Sequence, residues 1–168
     1  MKKTLTRYRH ARRTLAGLLT ALPMLVCAAP SATVITVKVT VVAPPPCVIN
    51  DDRPIEVEFG DVMTTRVDGD NYKMPVNYTL SCTGSASNAI KLQVKGAGAA
   101  FDATVLQTNQ TGLGIELRQG GSKLAVNSWL NFTYPNKPEL WVVPVKQTGA
   151  TLTGGEFSAG ATMAVDYQ

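Results

Sequence analysis

Histidine is nearly missing from this 168-residue chain: the only one is His10. It lies in a leader, described below, so the body of the chain has none. That excludes Ser–His and Cys–His nucleophile pairs. Zinc sites built on histidine are excluded with them. Carboxylates such as Asp61 and Asp68 are present, but nothing in the sequence arranges them as a pair. Helical periodicity is missing too. No segment of ten or more residues after the leader keeps a 3.6-residue period. No internal repeat or low-complexity tract stands out. Nor is there a long apolar run: residues 15–26 are too short to span a bilayer, which takes about 20 apolar residues. The expectation is an all-β chain that is not an enzyme and carries no cofactor.

The leader itself is a secretory signal. Lys2, Lys3, Arg7, Arg9, Arg12 and Arg13 form a basic start, an apolar run follows, and Cys27, Ala28 and Ala29 offer small residues for cleavage. The reading assigns residues 1–29 to the signal. All six of those basic residues leave with it, so 10 of the 16 basic residues remain against 12 acidic ones. The mature chain is therefore mildly acidic, and nothing in its charge supports nucleic-acid binding. Two of the three cysteines remain, Cys47 and Cys82. An even pair in an exported chain reads as a disulfide. Closing that loop stabilises by about 3.8 kcal/mol in the chain-entropy account.

What is present is a series of short alternating segments. Residues 33–43 read TVITVKVTVVA. Ile35, Val37, Val39 and Val41 form one apolar row, with Thr36, Lys38 and Thr40 between them. Period-two alternation of this length predicts a strand with one buried face. Pro44, Pro45 and Pro46 then stop any ladder, because proline has no N–H to donate. Further strands are predicted at 55–59, 76–82, 90–94, 113–117 and 140–145. Turns are expected at Asp68-Gly69, Thr83-Gly84, Gly120-Gly121, Pro135-Asn136 and Gly154-Gly155. Such spacing points to a β-sandwich. In the last run Phe157, Ala159, Ala161, Met163, Val165 and Tyr167 alternate with smaller or polar residues, and the given sequence supplies no later strand to cover them.

Asp68-Gly69-Asp70-Asn71 has the carboxylate spacing of a calcium loop. Thr79 stands where the twelfth-position Glu would be needed, so a polar turn is the reading. Asn77, Asn109 and Asn131 open sequons that read as chance polar residues in an exported chain.

Taken together, the two ends resemble the pilin subunits of chaperone–usher fimbriae. The resemblance rests on the alternating extension before Cys47, a cysteine pair 35 positions apart, Tyr167 as penultimate residue, and Gly155 fourteenth from the end. The run Trp141-Val142-Val143-Pro144-Val145 followed by Gln147-Thr148-Gly149 is similar to the family's penultimate strand. The resemblance implies an incomplete immunoglobulin-like sandwich lacking its last strand, with a detached N-terminal donor strand. Residues 30–46 would be the donor extension with its proline hinge, and 47–168 the pilin domain. It further implies donor residues Ile35, Val37, Val39 and Val41. Gly155, Phe157, Ala159, Ala161, Met163, Val165 and Tyr167 would form the strand met by a chaperone or by a neighbour's extension.

The implied partners are a periplasmic chaperone, an outer-membrane usher and neighbouring pilin subunits. The implied location is a fimbrium on the bacterial surface, and the implied role is that of a minor or adaptor subunit. Family extensions commonly carry glycine at one inward position; here Val39 or Thr40 stands there. A second reading is a secreted single-domain β-sandwich adhesin that does not polymerise. A two-domain tip adhesin would need a lectin domain ahead of Cys47, for which the sequence leaves no room.

Overall fold

A computed structural model describes residues 46–168. The donor row Ile35, Val37, Val39 and Val41, with the leader and the hinge, lies outside the described residues. Within them there are eleven strands, two short 3-10 turns and no α-helix.

The described residues open with β1 (Cys47–Ile49), which pairs antiparallel with β3 (Leu80–Cys82). Cys47 and Cys82 face each other across this pair and are joined by a disulfide. Asn50, Asp51 and Asp52 follow with positive φ of 51°, 53° and 58°. Asn and Asp are the non-glycine residues that best tolerate this left-handed region. The Asn50 side-chain amide donates to the carbonyls of Arg53 and Pro54 and holds the turn.

The large sheet runs β2 (Met74–Val76), β10 (Leu140–Lys146), β7 (Leu113–Gln119), β6 (Asp102–Gln107), β5 (Gly98–Ala99), with β8 (Ser122–Leu124) also on β7. β7 and β8 meet through Gly120 and Gly121, both at positive φ. A two-residue turn of this hand matches strand twist. Pro75 lies on the edge strand β2, and Pro144 lies where β2 no longer accompanies β10. Both are positions that tolerate a missing N–H. The facing sheet has three strands, β11 (Ala161–Tyr167), β4 (Ala89–Gly96) and β9 (Trp129–Thr133), with β4 in the middle.

The core forms where the inner rows of the two sheets meet. Leu92 and Val94 of β4 join Leu106, Ile115, Leu117, Leu140 and Val142 of the large sheet, with Tyr78 and Val126. This is an all-β, open sandwich of incomplete immunoglobulin-like form.

Three expected strands differ in detail. Residues 55–59 form none, because no ladder partner lies beside them among the described residues. The run 76–82 breaks at 77–79, where the chain leaves the large sheet at Val76 and joins β1 at Leu80. Tyr78 is buried at that crossing and donates its hydroxyl to the Pro138 carbonyl at 2.6 Å. Strands that switch sheets make the corners of such sandwiches. The last strand starts at Ala161, not Phe157, because the chain leaves the large sheet after Lys146 and its pairing with β4 begins only at Ala161.

Candidate functional site

The dominant surface feature is a long groove between residues 52–64 and residues 152–163, with a volume of about 1290 Å³. Its floor is the apolar core: Val94, Leu106, Ile115, Leu117, Leu140 and Val142 all line it. The groove exists because neither flank has a neighbour on its inner edge. β11 pairs with β4 on one side, and no described strand pairs with its other side. On the opposite flank, residues 55–61 make no backbone–backbone hydrogen bond among the described residues. Their alternation is kept all the same: Ile55, Val57 and Phe59 are half-buried against the core, and Glu56 and Glu58 are exposed. Backbone edges without partners beside an apolar floor invite a strand from another chain.

One aromatic contact spans the flanks. The Phe59 and Phe157 rings lie 5.8 Å apart, tilted by 35°. Behind Phe157 the lip is anchored to the loop after β6. Asn109 N–H donates to the Ser158 carbonyl at 3.2 Å, and Ser158 N–H donates back to Asn109 Oδ1 at 2.8 Å. The Gln110 amide donates to the Glu156 carbonyl at 3.1 Å. Gly155 has φ +143°, and a Cβ there would come within 3.1 Å of Gln110 Nε2. A side chain at 155 would therefore be strained and would push on the anchoring amide.

Of the groove-strand residues expected from the sequence, Gly155, Phe157, Ala159, Ala161 and Met163 line the groove. Val165 is further along β11 and packs on the core. Tyr167 lies beyond the groove lining, with its hydroxyl at 3.2 Å from both Ser85 Oγ and the Ala86 N–H. Sequence reasoning missed Asn109, Gln110 and Phe59. Asn109 stood out only as a sequon, and nothing local reveals that its amide serves a segment 47 to 49 residues away.

The acidic turn at 68–71 has another job. Asp68 Oδ1 accepts the N–H groups of Asp70 and Asn71 at 3.0 and 2.8 Å. Those backbone bonds, that to Asn71 first, hold the Asp68 carboxyl below its usual range. Asp70 pairs with Arg118 at 2.8 Å. The described residues contain no group of three or more side chains placed to hold a metal.

Known proteins bear on this groove. The model of the family described as "Fimbrial protein" matches residues 35–168. The chain is 47% identical over 136 residues to the fimbrial-like protein YfcR of Escherichia coli, covering 78% of each chain. Its structure is similar to that of the P pilus adaptor subunit PapF, with TM-score 0.57 and 28% identity over 75% of this chain and 98% of that one. It shares the fold of the P pilus rod subunit PapA, with TM-score 0.61 and 23% identity over 73% and 99%. An open groove bordered by unpaired edges, on a chain of this likeness, leads to one conclusion: this chain belongs to the fimbrial protein family, as a structural, non-catalytic pilin subunit of a chaperone–usher fimbria exported through the periplasm to the cell surface.

Proposed function

We propose that this subunit polymerises by exchanging strands, receiving one in the groove between 52–64 and 152–163 and giving one from residues 33–43. The observation that carries the reading is the groove: an apolar floor between two backbone edges that lack partners among the described residues. In the periplasm a chaperone strand occupies it. At the outer-membrane usher the extension of the next pilin subunit replaces that strand. Ile35, Val37, Val39 and Val41 fill the groove of a neighbour, and residues 44–46 hold the extension away from the donor's own body. Burying four branched aliphatic side chains contributes about 6–12 kcal/mol, at about 1.5–3 each. New ladder bonds add to it. The family match begins at Ile35, the first residue of the donor row, which supports counting the extension as part of the functional unit.

The position in the fibre is that of a minor or adaptor subunit. The likeness to a P pilus adaptor and to the minor fimbrial protein PrsF of Escherichia coli supports it.

The test is Val37→Asp in the full chain. The variant should co-purify with the periplasmic chaperone at one-to-one stoichiometry and fail to be incorporated into fibres. Wild-type incorporation, measured by immunoblot of sheared fibres, would reject donation by this row. A subunit that never associates with a chaperone would favour a free-standing adhesin instead.

A further inference from the structure

The groove is apolar on its floor but not neutral at its rim. Asp52, Glu58, Asp61 and Glu156 line it, and Arg53 is its one basic lining residue. Arg53 is engaged, donating to Asp51 at 3.1 Å. Residues 51–61 hold five carboxylates against that single arginine. Among the described residues, Asp52, Glu56, Glu58 and Asp61 belong to no salt bridge. The other flank differs: Glu156 is its only charged lining residue, and Ser158, Gly160 and Thr162 carry no charge. One lip is strongly acidic, and the other carries a single carboxylate and no basic residue.

The acidic lip is also regular. Glu56 and Glu58 alternate with the half-buried Ile55, Val57 and Phe59. A strand that pairs along this edge shares that alternation, with its apolar row inward and its other row outward beside the two glutamates. Paired strands lie about 4.7–4.9 Å apart. At that spacing opposite charges on facing positions attract and like charges repel.

We infer that the groove selects a donor strand whose outward row is cationic, with branched apolar residues at alternate positions and Lys or Arg between them. This rests on the strand-acceptor reading of the groove given above. The chain's own segment 33–43 has that chemistry: Lys38 is its only charge and lies in the outward row. An acidic outward row would meet several carboxylates on one lip and, on the other, Glu156 with no basic counter-charge.

The test uses the mature subunit in complex with its periplasmic chaperone. The probes are a synthetic peptide of residues 33–43 and the same peptide with Lys38→Gln or Lys38→Glu. Uptake is followed by native mass spectrometry at low and high salt. The Glu peptide should enter about tenfold more slowly than the Lys peptide, with Gln between, as two cross-strand charge contacts imply. High salt should close the gap. In a Glu56→Lys/Glu58→Lys subunit the order should invert. Equal rates for the Lys and Glu peptides at low salt overturn the charge selection and leave the strand-acceptor reading standing. Failure of every peptide to enter overturns that reading, and the inference with it.

Discussion

Two stretches of this protein lay apolar side chains on the core and meet different fates. β10 lies between β2 and β7, and its Leu140 and Val143 are 1% and 0% exposed. Residues 55–59 alternate apolar with acidic residues, and their apolar row touches the same core, yet they have no ladder partner among the described residues. Alternation decides which face is apolar. It does not decide whether the backbone finds a neighbour. The flank is a strand in side-chain pattern and an edge in hydrogen bonding, which is the state a strand acceptor needs.

The sharpest way to break this contrast is to cut one side chain from each stretch. Leu140→Ala removes a fully buried side chain from β10 and should cost about 3–5 kcal/mol in urea unfolding. Val57→Ala removes two half-buried methyl groups from the flank and should cost about 1 kcal/mol. Its larger effect should be on peptide uptake by the groove. Equal costs in unfolding would erase the distinction. An effect between those two comes from the disulfide at the root of the flank. Cys47→Ser/Cys82→Ser should cost about 2–4 kcal/mol. Amide exchange should then rise first in β1, in β3 and at Asn50, the bonded amides beside the bridge, and only later in β10. Uniform acceleration would show that the bridge secures the whole domain, not the flank.

The smallest effect is one of pH. Tyr78, at the corner between the sheets, has its hydroxyl pushed up to about 12 by burial. Below pH 10 both folded and unfolded chains keep that proton, and the stability is unchanged. Between pH 10 and about 12 the unfolded chain ionises first, so stability falls as pH rises. Tyr78→Phe should flatten that limb of the stability–pH curve, leaving the flank unaffected. A wild-type slope that persists in the variant would assign the loss to other groups.

Much of this arrangement was legible beforehand, residue by residue. Gly120-Gly121 gave its hairpin because only a primed turn suits two glycines between alternating runs. Leu113, Ile115 and Leu117 formed a strand with its apolar row on the core, as did Leu92 and Val94. Gly155, Phe157, Ala159, Ala161 and Met163 came together on the groove. Other features were not legible. Tyr167 reads as another member of the groove row, but its hydroxyl is held near Ser85 and Ala86. Asn109 and Gln110 secure the lip through contacts that no local pattern announces.

By itself the sequence determined the class of this protein and its export. Those follow from local quantities: the basic and apolar leader, period-two alternation and two cysteines. Only the tertiary structure decided that 55–59 is an unpaired lip and that 76–82 turns a corner at Tyr78. It alone revealed that the strongly acidic stretch 51–61 forms one lip of a groove whose other lip carries only Glu156. Hydrogen-bond partners and facing charges depend on which segments become neighbours, and that depends on how the whole chain packs its core.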